Sequence, residues 1–188
     1  VRRQGLRMGL YYCGGMDWLF MPEPVKTFLD VYRYIPQSEE YALYADAHWR
    51  ELIRLYQPSV LWNDIGWPKG GDLAALFAQY YNAVPDGVIN DRWIVSSMKR
   101  SPMRDALLRL AGRLLQGVWR FLPADKKRLT FPGAQWFDFT TPEYEVLEEI
   151  REKKWESTRG VGHSFGANRN ERPEDIVTTT ELIRSFCD

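Results

Sequence analysis

Val60-Leu61-Trp62-Asn63-Asp64-Ile65-Gly66-Trp67-Pro68 is the stretch on which the fold turns. Val60, Leu61 and Trp62 make a short apolar run of the kind that forms a buried strand. Asn63-Asp64 closes it, and Gly66 and Pro68 mark a loop. A carboxylate set at the end of an apolar strand, between Trp62 and Trp67, stands where parallel α/β sheets keep their ligands. The plainer alternative for Asp64 is a cap on the turn that follows it.

Upstream, Ser38 with Glu39 and Glu40 opens a helix with a cap oxygen and acids in its first turn. Ala45, Trp49, Leu52, Ile53 and Tyr56 form its apolar face, and Pro58 stops it. Leu6 to Cys13 reads as another buried strand, turned by Gly14-Gly15. Downstream, Asp72 caps a helix carrying Leu73, Leu76, Phe77, Tyr80 and Tyr81 on one face. Asp86-Gly87 then turns the chain into Val88-Ile89-Asn90, a third strand ending at Asp91-Arg92-Trp93.

Residues 102–121 form a further amphipathic helix, apolar at Met103, Ala106, Leu107, Leu110, Ala111, Leu114, Leu115, Val118 and Phe121 and basic at Arg104, Arg109, Arg113 and Arg120. Its expected disposition is an apolar inner face and a solvated outer one. Lys154 to Thr158 reads as a fourth strand leading into the glycine-rich Gly160–Gly166 loop. Thr178 and Glu181 make a capping box for a last helix.

Strands alternating with helices over such short connections predict parallel βαβ units and an α/β fold. Three or four such units amount to about half of a (β/α)8 barrel, which typically needs ~250 residues. Polar groups gather after the strands, at Asn63-Asp64, at Asp91-Arg92, and at Glu156 with Arg159. That favours a TIM-like barrel over the doubly wound open sheet that the pattern also allows. The expectation is a fragment of one catalytic barrel domain over residues 1–188, cut at both ends, with a helical insertion at about 94–139.

The 188 residues are 45% hydrophobic and 27% charged, enough for one domain with a core. Twenty-five basic residues balance twenty-five acidic ones, so the whole chain offers no net field to recruit nucleic acid or an anionic membrane. A neutral ligand fits better. Cys13, Cys187, His48 and His163 show no metal-ligand spacing, so no metal site is expected.

Five segments carry a resemblance: GLRMGLYYCGGMDW (5–18), YADAHWRELIRLYQPSVLWNDIGWP (44–68), INDRW (89–93), TTPEY (140–144) and KWESTRGVGHSFGANRNE (154–171). In this order they are similar to the landmarks of the α-L-fucosidases of glycoside hydrolase family 29. The resemblance implies a retaining hydrolase that releases α-L-fucose from fucosylated oligosaccharides or glycoconjugates and needs no cofactor. It assigns the nucleophile to Asp64 and the general acid/base to Glu143. Tyr11 and Arg92 would hold the sugar, and Trp62 would line the pocket.

The two carboxyls should then lie ~5 Å apart. It also implies missing barrel strands on both sides, poor activity for this fragment alone, and a secreted, periplasmic or lysosomal rather than nuclear location. Oligomeric state has no counterpart in the sequence.

The chain departs from the family in the long segment between Arg92 and Glu143, which keeps Glu145, Glu156 and Glu171 as other acids. A carbohydrate-binding relative without turnover, an inactive fragment, and a retaining hydrolase of another sugar are the competing readings.

Overall fold

The computed structural model describes residues 1–21, 24–26, 30–31, 34–95, 101–121, 134–143, 149–158, 160–162 and 168–187. Arg159, Glu145 and His163 lie outside the described residues, as does most of the glycine-rich loop. The chain divides into two compact units, Val1–Phe137 and Asp138–Asp188.

In the first unit, a one-turn helix at Arg2–Gln4 precedes β1 (Gly9–Cys13), α1 (Glu39–Tyr56), β2 (Val60–Asp64), α2 (Leu73–Ala83), β3 (Val88–Ile89) and α3 (Pro102–Phe121). The three strands form one parallel sheet in sequential order, with Gly9 to Cys13 in register against Val60 to Asp64. Val60 and Leu61 pair in turn with Val88 and Ile89.

The helices start and stop for local reasons. Ser38 Oγ accepts from Tyr41 N at 3.2 Å, and Gln57 takes a left-handed conformation just before Pro58. Asp72 Oδ1 accepts from Ala75 N at 2.9 Å. Beneath them lies one core of Tyr41, Ala45, Trp49 and Ile53 from α1, Leu73, Leu76, Phe77 and Tyr80 from α2, and Leu61 and Ile89 from the sheet. Both helices therefore cover the same face of the sheet. The pleat sends Leu61 and Asn63 into that core, both fully buried, and turns Val60, Trp62 and Asp64 the other way.

The first strand is shorter than the Leu6–Cys13 expected from its apolar run. Leu6 is exposed, and pairing begins where Ser59 N donates to Met8 O at 2.7 Å. Pro58, one residue earlier, has no N–H with which to extend the ladder. The expected inner apolar face of α3 is also corrected: among its described side chains Ala111 is partly buried, whereas Met103, Ala106, Leu107, Leu110, Leu114 and Leu115 are exposed.

In the second unit, β4 (Phe139–Thr140) pairs in parallel with β5 (Lys154–Trp155), and an isolated bridge joins Glu143 to Thr158. The expected fourth strand over Lys154–Thr158 thus forms as a two-residue strand and a bridge, and β4 is an additional one. A one-turn helix at Pro173–Asp175 precedes α4 (Thr179–Cys187). Thr178 N donates to Glu181 Oε2 at 2.8 Å and Glu181 N donates to Thr178 Oγ1 at 3.3 Å, which is the capping box read from the sequence.

Candidate active site

Asp64 is the last residue of β2, and in-register pairing puts Cys13 beside it and Tyr11 beside Trp62. Because partners in a parallel ladder share a face, Tyr11, Cys13, Trp62 and Asp64 all project away from the helices. Arg92 joins them from the segment after β3. Four of the five residues singled out in the sequence are thereby brought together.

Both carboxylate oxygens of Asp64 are occupied. Oδ1 accepts from Ile65 N at 2.9 Å and from Arg92 at 3.2 Å, and Oδ2 accepts from the Tyr11 hydroxyl at 2.8 Å. The ion pair is mostly shielded, with the Arg92 and Asp64 side chains 16% and 19% exposed. Tyr11 and Trp62 stack at 28° with ring centroids 5.4 Å apart, and the Arg92 guanidinium lies 4.9 Å from the Trp62 ring centroid. An aromatic wall, a fixed carboxylate and a guanidinium thus meet at one strand end.

Burial is the first cause pushing the Tyr11 hydroxyl's titration well above that of an ordinary tyrosine. Its hydrogen bond to Asp64 and that carboxylate's charge follow, and Arg92 opposes them. Tyr11 therefore stays a proton donor to Asp64 throughout the neutral range. Burial, then the Asp64 charge, raises the Cys13 thiol from 9.0 to about 11, so Cys13 is a neutral neighbour there and not a nucleophile.

A buried amide pair that the sequence reading did not single out supports the strand ends. Asn90 Oδ1 accepts from Asn63 N at 3.0 Å, and Asn90 Nδ2 donates to Asn63 O at 2.8 Å. Asn63 Nδ2 donates to Gly66 O at 2.9 Å and Arg92 O at 3.2 Å. The one sequence signal was polarity at strand positions whose neighbours are core residues. The turn after Asp64 is strained: Ile65, a β-branched residue, has φ 60°. Gly15 packs so closely on it that a Cβ there would lie 2.0 Å from Ile65 O.

Glu143 is exposed, three residues beyond the end of β4 and beside Thr158 in the second unit. Glu156 follows β5, where its backbone N–H donates to Thr140 O at 2.9 Å. Both acids stand at the C-terminal ends of parallel strands. The Glu171 carboxylate lies against the backbone of Gly162, leaving no room for a Cβ, so it serves the loop. Among the described residues no group of three or more His, Cys, Asp or Glu side chains is placed to hold a metal ion.

The α-L-fucosidase family model matches residues 1–188. A solved α-L-fucosidase is 38% identical, with a TM-score of 0.71, and the match covers 98% of this chain and 34% of that one. The Thermotoga maritima α-fucosidase is 39% identical over 98% of this chain and 34% of its own, with a TM-score of 0.70. The same enzyme in complex with fucose is 38% identical over 98% of this chain and 33% of its own, with a TM-score of 0.68. No curated protein matches. The chain spans about a third of the length of these solved relatives. With a family model matched from end to end and an α/β framework shared with these structures, the chain belongs to the α-L-fucosidase family.

Proposed function

We propose that the protein to which this chain belongs is a retaining glycoside hydrolase releasing α-L-fucose from fucosylated glycans. Asp64 is its nucleophile and Glu143 its general acid/base. The observation that carries the reading is the Asp64 carboxylate, held by three donors at a strand end and facing away from the covering helices. Membership of the family and the fucose complex of a solved relative support the choice of sugar.

Asp64 Oδ2 accepts a single hydrogen bond, so one of its lone pairs is available to attack the anomeric carbon of the fucoside. As that bond forms, the bond to the leaving oxygen breaks, and Glu143 gives its proton to that oxygen. The glycosyl ester on Asp64 is then opened by water, whose proton returns to Glu143. Tyr11 and Arg92 hold the sugar and orient the carboxylate, while Trp62 packs on it as part of the aromatic wall. No cofactor enters the sequence of steps.

We also infer that the sheet belongs to an eight-fold barrel. Sequential strand order, two helices on one face and the polar cluster at the C-terminal strand ends on the other support this. Residues 94–139, which include α3, form an insertion in that barrel.

The test is hydrolysis of an aryl α-L-fucoside by the full-length protein and by this chain alone. Activity confined to the full-length protein is expected. A well-folded full-length protein that binds fucose without turnover would sink the hydrolase reading in favour of a binding relative. Turnover of another glycoside alone would overturn the choice of sugar.

A further inference from the structure

The parallel pairing of β2 with the β3 segment breaks off and then resumes. Val60 and Leu61 face Val88 and Ile89, and further along Trp67 faces Val95 in the same register. Between those points that register sets Asp64 opposite Arg92. The carboxylate and the guanidinium paired with it therefore leave the interrupted stretch side by side on one face. The last regular ladder bond before the gap runs from Asn90 N to Leu61 O at 3.4 Å.

A continued ladder would next join Asn63 N to Asn90 O, and Arg92 N to Asn63 O. The Asn90 side chain takes both places. Its Oδ1 accepts from Asn63 N at 3.0 Å, and its Nδ2 donates to Asn63 O at 2.8 Å. A carboxamide stands in for a peptide group and keeps the two backbones from closing at that point.

The Asn63 side chain occupies the other end of the gap, where Nδ2 donates to Gly66 O and to Arg92 O. Trp49 Nε1 donates to its Oδ1 at 3.4 Å, which sets which way round the amide lies. Gly14 packs so near that a Cβ there would lie 2.4 Å from the same oxygen. Both asparagines are fully buried. An unpaired polar group in such a place costs about 1–3 kcal/mol, so each amide is held to its partners.

We propose that Asn63 and Asn90 are positioning residues that hold this gap open and so set Arg92 against Asp64. The inference rests on the reading of Asp64 as nucleophile. Arg92 O is the link, since it accepts from Gly66 N at 3.1 Å as well as from Asn63 Nδ2 at 3.2 Å. The backbone that carries the guanidinium is thereby tied to the turn directly after the carboxylate. Strands zipped shut by backbone bonds would draw Arg92 N to Asn63 O and pull its carbonyl off both donors. Asn63 projects into the core, opposite to Asp64, so it acts through Arg92 and not on the sugar.

The experiment is a double-mutant cycle in the full-length protein, read as kcat/KM on an aryl α-L-fucoside, with circular dichroism showing that each variant folds. Asn90→Ala should lower kcat/KM roughly 10- to 100-fold, as a misplacement of about 1 Å does. Added to Arg92→Ala, the same change should cost less than about twofold more. A merely structural role would cost the same in both backgrounds. That result overturns the proposal, as does an unchanged kcat/KM in Asn90→Ala alone. Asn90→Asp, which keeps the volume and the acceptor for Asn63 N but loses the donor, serves in the cycle if Asn90→Ala does not fold. A wild type without turnover, or with turnover that survives Asp64→Gly, overturns the proposed function and not this inference. Crystal structures of the wild type and the Asn90 variant then decide it. Arg92 drawn away from Asp64 supports the positioning role, and a pair kept at 3.2 Å overturns it.

Discussion

Ile65 adopts φ 60°, a conformation that costs a β-branched residue of order 1–3 kcal/mol, directly after the carboxylate that the site is built around. That strain persists because its neighbours fix the turn from several sides. Asp64 Oδ1 takes the Ile65 N–H, the Asn63 amide takes Gly66 O, and Gly66 N donates to Arg92 O at 3.1 Å. The fold itself therefore fixes the orientation of the carboxylate. Tyr11→Phe removes the one hydrogen bond on Oδ2 and keeps the ring stacked on Trp62. Hydrogen bonds to charged groups are worth about 1.5–3 kcal/mol, so kcat/KM of the full-length protein on an aryl fucoside should fall roughly 10- to 100-fold. An unchanged value would remove Tyr11 from the machinery. Asp64→Gly tests the nucleophile itself. Turnover should vanish, and added azide should restore it by entering the vacated space and attacking the anomeric carbon directly. Activity that survives the substitution would assign the nucleophile elsewhere.

At the scale of elements, the sheet carries on its two faces groups that burial keeps neutral. Burial, then the neighbouring phenols, raises Tyr12 and Tyr41 above the ordinary tyrosine value of 10.0, and Cys13 is raised from 9.0 to about 11. In each case the folded state holds the proton more tightly than the unfolded chain. Their contribution is complete below the unfolded values and is lost as pH climbs through the folded ones. Denaturant unfolding of the chain should thus give a flat stability up to about pH 9 and a steady loss above it, beginning with Cys13. A stability that held constant to about pH 11 would mean that these groups are solvated in the folded chain. Helix ends were legible in the sequence because their causes are local: Ser38 and Asp72 as caps, Pro58 as a stop. Strand ends were not, since β1 begins where Pro58 permits pairing and β4 exists through its two-residue register with β5. The same division holds for the site. Apolar-strand position and family landmarks pointed to Asp64, Arg92, Tyr11 and Trp62. The Asn63–Asn90 amide pair joins residues 27 apart and depends on the β2–β3 register. The exposed stripe of α3 is a property of what surrounds that helix, which periodicity does not encode.

On the scale of the whole molecule, the proposed chemistry needs two carboxyl groups, Asp64 as nucleophile and Glu143 as general acid/base. A nucleophile and an acid about 5 Å apart give retention, whereas a separation of about 6.5–9.5 Å leaves room for a water and gives inversion. The stereochemistry of the first product therefore distinguishes the two mechanisms. In the proposed mechanism Asp64, whose oxygens accept from Ile65 N, Arg92 and Tyr11, attacks the sugar carbon directly. Two successive inversions follow, so the full-length protein should release α-L-fucose first, before mutarotation mixes the anomers. Proton NMR of an aryl α-L-fucoside during its first minutes of hydrolysis distinguishes the two anomers directly. If the β-anomer appears first, water attacks in one step. Asp64 would then act as a base or not at all, and the acid would be sought among Glu145, Glu156 and Glu171. An initial α-anomer would support the double displacement, as would two effects of Glu143→Ala: loss of turnover on a poor leaving group, and acceleration by azide on an activated one, where azide opens the glycosyl ester without a base.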